Sequence, residues 1–452
     1  MPPVKNPVFF VIGSTGTGKS KVAVHLAQEL KGSYGYQNVA IVNCDVYQCF
    51  DALPISTNKP SAEQLGNVPH AFLGFLEADG TLCASRAYPS PTEAAAHAAA
   101  SSALKQEKIF NVHTYEKMVT SFISEYFQQH DGAALIVCGG TCYYVQALLF
   151  SNSLVHDVDA TAPDDTKEGR DGVENAWERL HEIDADTASR YHPNDSRRIK
   201  RMLDIHKNTG QKPSIIFEEH ETQLRFDCCS VFVIWTHMER PHLDSALNQR
   251  VDEMLHRGMI DEVRGFWAAF KGNPPHSSLT EAIGCKEFLR LLAEHNSSQV
   301  NEAELKTAVE QVKANTRRYA RQQERWIKNR LIRLLQTTAL KEQWTHFVVF
   351  PTDQGNGALL NISTLLQTFF IAPCDNVAGD LEYPLKEEVR TQAPVCQEKC
   401  AICGLLVYGR GQMEAHLKSK RHRGALRRLA LEKEQREVYG RKLPPPKRKR
   451  GF

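Results

Sequence analysis

Four short apolar runs punctuate the chain: Val8-Phe9-Phe10-Val11-Ile12, Val39-Ala40-Ile41-Val42, Leu135-Ile136-Val137-Cys138 and Val231-Phe232-Val233-Ile234-Trp235. None alternates with polar residues, which is the pattern of strands buried on both faces of a parallel sheet. Between and after them, apolar residues recur at helical spacing. Examples are Val22, Leu26 and Leu30, then Tyr115, Val119, Phe122, Ile123 and Tyr126, then Trp177, Leu180, Ile183 and Ala188. Buried strands alternating with amphipathic helices predict an α/β fold. A long helical region over roughly residues 240–310 reads as a helical insertion or lid. The Ala/Ser/Pro-rich stretch 86–110 reads as a low-complexity surface insertion with a short Ala helix, and 371–394 lacks periodicity. The expected organisation is a catalytic region over 1–350, a linker over 351–394, a small metal-binding module over 395–430 and a basic tail over 431–452.

Composition changes this picture in three places. No apolar stretch reaches the roughly 18 residues of a membrane span, so no membrane association is expected. The net charge of +2 conceals two basic segments, eight Lys/Arg against one Glu from Lys313 to Arg333 and fourteen against three from Leu417 to Phe452. Such segments suit a polyanionic partner, although a charge run alone is more often a solvated helix face. Twelve cysteines without a secretory signal read as reduced thiols or metal ligands. A phosphate-binding motif that begins at residue 13 leaves no room for a cleavable leader, and a cytoplasmic monomer is expected. The cluster Lys447-Arg448-Lys449-Arg450 keeps the nucleus open, and the mitochondrion is the further alternative.

That motif is Gly13-Ser14-Thr15-Gly16-Thr17-Gly18-Lys19-Ser20, directly behind the first apolar run and ahead of the first helical pattern. It has the G-x4-G-K-[ST] form of a phosphate-binding loop in its required strand-to-helix context. Gly13, Thr15, Gly16, Thr17 and Gly18 offer backbone N–H groups, Lys19 a point charge, and Ser20 a hydroxyl for Mg2+. The second run ends at Asp45, the third at Gly139-Gly140-Thr141, so both belong on the same sheet rim as the loop. Asp45 could accept a proton, and Thr141 could donate to phosphate or substrate. Alone, Asp45 would be read as a turn cap.

Farther along, Asn194 or Asp195 caps a helix that presents Arg197, Arg198 and Arg201 within one turn and stops at Thr209-Gly210. Arg317, Arg321 and Arg325 fall at i, i+4 and i+8 on a later helix. Near the end, Cys400, Cys403, His416 and His422 form C-x2-C-x12-H-x5-H, the ligand types and spacing of a tetrahedral Zn2+ site. These readings alone reach a P-loop enzyme with an RNA-binding finger.

With the loop before it, Asp45-Val46-Tyr47-Gln48 through Ile55-Ser56-Thr57-Asn58-Lys59-Pro60 resembles the D-S-x-Q-V-Y…I-x-T-[NA]-K-P signature of tRNA dimethylallyltransferases, also called tRNA isopentenyltransferases. Val46 and Cys49-Phe50 replace the family's Ser and Val-Tyr. Gly139-Gly140-Thr141 with Tyr144, the block from His192 to Leu203, Ala282 to Glu287, and Thr316 to Trp326 follow the same family in order, with Gln322 in place of an Arg. The finger spacing is similar to matrin-type or U1-like fingers carried by a eukaryotic subset. The resemblance implies an α/β, P-loop NTPase-like parallel-sheet core with a helical insertion, plus a small C-terminal C2H2 zinc finger. It further implies prenyl transfer from dimethylallyl diphosphate, with Mg2+, to N6 of adenosine 37 in the tRNA anticodon stem-loop. On this reading Lys19, Asp45 and Thr141 are catalytic, and the Gly13–Ser20 loop, with Lys286, holds diphosphate. Asp45, Gln48, Arg197, Arg198, Arg201, Arg317, Arg321 and Arg325 meet tRNA, and Zn2+ is structural. Competing classes are a nucleotide or small-molecule kinase, an adenylate prenyltransferase and a non-catalytic RNA-binding protein.

Overall fold

The four apolar runs become strands because each can bury a full set of side chains between helices. They are β1 (Val8–Gly13), β2 (Asn38–Asn43), β4 (Ala133–Cys138) and β7 (Val231–His237). The short β3 (His70–Ala71) and β8 (Phe347–Pro351) complete a six-stranded sheet in the order β3-β2-β4-β1-β7-β8, with every pairing parallel. The computed structural model describes residues 3–83, 90–107, 109–154, 176–219, 223–275, 277–294, 301–342, 346–352, 356–371, 397–402, 406–408, 412–419 and 422–430. The expected parallel-sheet core is borne out, and its rim is where β1, β2 and β4 end together.

The chain divides into two compact units, one from residues 1–154 and 221–384, the other from 155–220 and 385–452. In the first unit, α1 (Lys19–Gly32) lays Val22, Ala23, Leu26, Ala27 and Leu30 on the sheet. Phe9 of β1 stacks on Phe232 of β7 with ring centroids 4.8 Å apart, and each fully buried side chain of this kind contributes about 1.5–3 kcal/mol. The helix expected in the Ala-rich stretch forms, but it is long and packed, not a surface insertion: it is α2 (Pro91–Glu107), seventeen residues long. Ala96, Ala99, Ala100 and Ala103 make one small-residue stripe, which brings α2 against α3 (Val112–Gln129). Alanine has the highest helix propensity and no bulk to hold neighbours apart, so low complexity there is packing. Asn111 caps α3 by accepting from the His113 and Thr114 N–H groups at 2.8 and 3.0 Å.

After α4 (Cys142–Leu149), the short antiparallel strands β5 (Phe150–Ser151) and β6 (Gln223–Leu224) bracket the second unit's first segment in the chain. That segment holds α5 (Ala176–Ile183), α6 (Ala185–Ser189), α7 (Ser196–Thr209) and α8 (Pro213–Glu219) around their own core of Leu180, Ala188, Ile199, Met202, Ile205 and Ile216. Asp195 caps α7 and Gly210, with φ 70°, ends it, as the sequence predicts.

Returning to the first unit, α9 (Arg240–His256), α10 (Met259–Ala269), α11 (Lys286–Glu294) and α12 (Glu302–Trp326) follow β7. A π-helical turn, Ile327–Leu331, joins α12 to α13 (Ile332–Glu342). The expected linker starts too early. Its first part is α14 (Asn356–Ile371), whose Ile362, Leu365, Leu366 and Phe369 join the sheet core beside α1. Its buried residues fall at i, i+3, i+4 and i+7, a helical period that the linker reading passed over. In the second unit, β9 (Gln397–Lys399) and β10 (Leu406–Tyr408) pair antiparallel ahead of α15 (Gln412–Leu417). Among the described residues no helix is long and apolar enough to cross a membrane.

Candidate active site

The Gly13–Ser20 loop turns from β1 into α1 through Gly18, whose φ of 75° is a conformation that favours glycine. Its side chains serve the loop's own shape. The Thr17 hydroxyl donates to the Ser14 carbonyl at 2.8 Å and lies 2.7 Å from that of Thr236, both inside the core. Lys19 reaches back over the loop, donating from Nζ to the same Ser14 carbonyl at 2.8 Å. Ser20 is exposed at the start of α1.

Two more strand ends close on the loop. Asp45 caps a short 3-10 turn, Val46–Cys49, by accepting from the Tyr47 N–H at 3.2 Å. The cap reading is therefore correct for one carboxylate oxygen, and the other is turned to the site. Thr141, at the end of β4, accepts from the Val46 N–H at 3.0 Å and so pins the Asp45 turn. As an acceptor in that bond, its hydroxyl keeps its proton for another partner. Gly139 lies against the Cys44 carbonyl so closely that any Cβ would overlap it. At Gly140, a Cβ would stand 2.7 Å from Gln323 Nε2 and 3.6 Å from both Asp45 Oδ2 and Lys19 Nζ, so amide, carboxylate and ammonium converge on one glycine.

Burial sets the electrostatics. Withdrawal from water raises the Asp45 carboxyl above its ordinary value, opposed by the Lys19 charge. The same withdrawal lowers Lys19, opposed by the Asp45 carboxylate. The Cys138 and Cys142 thiols are pushed up to about 11 by burial, so they stay neutral and do not repel an anion held by the loop.

Two residues that sequence reasoning gave no role hold this arrangement together. Gln323, 5% exposed on α12, accepts from the Thr15 N–H at 2.8 Å and donates to the Gly140 carbonyl at 2.7 Å. One side-chain amide thus ties the phosphate loop to the end of β4. Arg250, on α9, donates to the Thr15 hydroxyl at 2.9 Å and adds a second positive charge beside Asp45. Gln323 stands inside the Thr316–Trp326 block and Arg250 in the long helical region, but a lone Gln or Arg there carries no sign of what it faces. Glu262 is a third: it accepts from the Ile55 N–H, the Ser56 N–H and the Ser56 hydroxyl at 2.7–2.8 Å, fixing the loop that follows Asp45.

The other expected contacts divide. Gln48 lies next to the site, with its amide nitrogen committed to the Asn58 carbonyl at 3.0 Å, which leaves its oxygen for a ligand. Lys286 opens α11, and among the described residues it makes no hydrogen bond or ion pair with the loop. On α12, Arg317 donates to Asn248 and Arg321 lies 3.9 Å from Asp244, so both turn partly toward α9 while Arg325 stays exposed. In the second unit, Arg197 and Arg198 are exposed on α7, Arg198 beside Asp195 at 3.4 Å, and Arg201 is half-buried.

In the finger, Cys400, His416 and His422 are buried with their ligand atoms within 4.8 Å of one another. His422 Nδ1 is 3.4 Å from Cys400 Sγ and 3.2 Å from His416 Nε2. Three buried lone-pair donors facing a common point fit a Zn2+ ion. Cys403, the expected fourth ligand, lies outside the described residues, as does the basic tail.

Comparison with known proteins agrees with this geometry. A family model described as IPP transferase matches residues 86–330, and one described as a zinc-finger of C2H2 type matches 399–422. A tRNA dimethylallyltransferase of Saccharomyces cerevisiae is 27% identical over 457 residues, covering 93% of this chain and 92% of that protein. One from Homo sapiens is 26% identical, covering 93% and 86%. A crystal structure of a eukaryotic dimethylallyltransferase acting on tRNA superposes with a TM-score of 0.68 at 25% identity, covering 96% of this chain and 99% of that one. With more than half of its length matched by the family model and a phosphate loop, carboxylate and glycine-lined strand end assembled on one rim, the chain belongs to the IPP transferase family.

Proposed function

We propose that this protein transfers the dimethylallyl group of dimethylallyl diphosphate to N6 of adenosine 37, the nucleotide immediately 3′ of the anticodon in tRNA. The observation that carries the reading is the convergence of Lys19 and Asp45 on Gly140. A cation for a leaving diphosphate and a base for an attacking amine are both needed there, and little else is. The family membership and the relatives that match nearly the whole chain support it.

In the reaction, the bond between the allylic carbon and the diphosphate oxygen breaks, and its electron pair leaves with the diphosphate. The adenosine N6 lone pair forms the new bond to that carbon, and an N6 proton passes to Asp45. The loop N–H groups and Lys19 stabilise the departing charge in a site partly withdrawn from water, where such interactions are strongest. Thr15 contributes through its hydroxyl and Arg250, because its N–H is taken by Gln323. Thr141 keeps Asp45 in place and can donate to amine or diphosphate. The exposed Ser20 hydroxyl at the loop's end would hold Mg2+, which would supply further neutralisation of the diphosphate. The oxygen of Gln48 would read the adenine edge, since its amide nitrogen is held by the Asn58 carbonyl.

Arg197, Arg198, Arg201, Arg317, Arg321, Arg325 and the zinc finger supply cations for the anticodon arm, and Lys286 a further phosphate contact. Each phosphate so neutralised adds to affinity and to its salt dependence. The protein acts as a monomer in the cytoplasm on this reading. The test is to incubate purified protein, Mg2+ and dimethylallyl diphosphate with an anticodon stem-loop carrying adenosines 36 and 37. A prenylated adenosine 37 by mass spectrometry supports the reading. An unmodified RNA, or γ-phosphate transfer from labelled ATP instead, overturns it.

A further inference from the structure

The seam between α4 and α12 runs outward from the site in three steps. Innermost, Gln323 of α12 bonds the Gly140 carbonyl, and the Cys142 thiol lies 4.0 Å from the Gln323 carbonyl. One turn out, Tyr143 of α4 meets Trp326, with ring centroids 6.0 Å apart and planes at 76°. Beyond them, the Arg330 guanidinium lies over the Trp326 ring at 4.9 Å and donates to the Gln146 side chain at 3.2 Å. The π-helical turn that follows Trp326 carries Arg330, and such turns recur where a helix is bent to a functional purpose.

This group is not needed by the chemistry described above, yet it is costly to leave as it stands. Tyr143 is a large aromatic, 38% exposed, two residues from Thr141. The indole N–H of Trp326 is shielded from solvent and has no hydrogen-bond partner among the described residues. A buried indole donor normally finds an acceptor. An exposed aromatic and a cation stacked on a second aromatic, beside a rim that must admit a base, together have the chemistry that binds an unpaired nucleobase. Stacking supplies the affinity, and the guanidinium serves the flanking phosphate or base edge.

We propose that Tyr143, Trp326 and Arg330 form a stacking platform for an unpaired nucleobase of the RNA loop that flanks the reacting adenosine. The platform rests on the tRNA reading above. It explains how the loop stays splayed once one base has been drawn into the site, and it makes Tyr143 a binding residue outside the reacting centre.

The experiment compares wild type with Tyr143→Ala and Tyr143→Phe on anticodon stem-loops in which each nucleotide flanking adenosine 37 is made abasic in turn. At one flanking position, removing the base should lower kcat/KM about tenfold in wild type. Tyr143→Ala should show the same loss on intact RNA, with no further loss on that abasic RNA, while Tyr143→Phe stays near wild type. Losses that multiply, or a Tyr143→Ala enzyme equal to wild type, overturn the platform. A second arm uses 2-aminopurine at the same position and reads fluorescence quenching on binding, which needs no turnover. Quenching that depends on Tyr143 in a protein that fails to prenylate the RNA would leave the platform standing and sink the activity. Quenching absent, or equal in both proteins, overturns the platform itself, and unchanged thermal melting of the variants rules out misfolding as the cause.

Discussion

Replacing Gln323 by Met removes both bonds that tie the phosphate loop to β4 while keeping the side chain's length. The Thr15 N–H and the Gly140 carbonyl, joined to it at 2.8 and 2.7 Å, are then stranded in a buried position. A buried polar group left unpaired costs about 1–3 kcal/mol. The two together, less what local relaxation recovers, put about 2–3 kcal/mol on the geometry in which Lys19 and Asp45 face one substrate. Since each 1.36 kcal/mol is tenfold in rate, kcat/KM for the prenyl donor should fall about 30- to 150-fold. Stem-loop affinity should stay within about threefold, because Gln323 is buried and the exposed Arg325 is untouched. Steady-state kinetics with the donor varied, filter binding of the stem-loop and a thermal melt separate these effects. A variant that melts lower but keeps wild-type kcat/KM for the donor would refute the reasoning, since Gln323 would then hold only the fold.

Three other perturbations address separate parts of the account. Glu262→Ala strands two backbone N–H groups and a hydroxyl in the loop after Asp45, and should lower unfolding free energy by about 2–4 kcal/mol in urea titration with an unchanged slope. The pH profile of kcat/KM should be a bell narrower than ordinary Asp and Lys would give. Asp45, raised by burial, stops accepting a proton as pH falls through a pKa above 3.8, and Lys19, lowered by burial, loses its charge as pH rises through one below 10.5. A flat profile between those ordinary values would contradict the site electrostatics. Removing Zn2+ with a chelator, or Cys400→Ser, should unfold the finger by NMR and weaken tRNA binding at least tenfold, while turnover at saturating RNA persists.

Much of this was legible because it is local. A strand followed by G-x4-G-K-S, a cap and stop around α7, and a Cys/His spacing each encode their own geometry within about twenty residues. The rim positions of Asp45 and Thr141 followed from knowing that parallel strands present ligands at their carboxyl ends. What escaped was non-local. Gln323 and Thr15 are 308 residues apart, and no pattern in either segment announces their bond. The i, i+4, i+8 arginines were visible as a stripe, yet Asn248 and Asp244 on α9 take up Arg317 and Arg321, which only the fold could reveal. At α2 the helix was expected and its packing was not, because alanine composition alone does not show which face is buried; at α14 the period Ile362, Leu365, Leu366 and Phe369 was present but fell inside a stretch read as linker.

The central claim is that Asp45 takes the proton from an adenosine amine as the prenyl group arrives. Asn at position 45 keeps the oxygen that accepts from the Tyr47 N–H, so the turn survives while the base is lost. Single-turnover mass spectrometry of an adenosine 36/37 stem-loop with Mg2+ and dimethylallyl diphosphate measures this directly. Wild type should add one dimethylallyl group at N6 of adenosine 37, and Asp45→Asn should be slower by about 10²–10⁴-fold. An unmodified RNA with wild type, or an Asp45→Asn protein as fast as wild type, would contradict the claim.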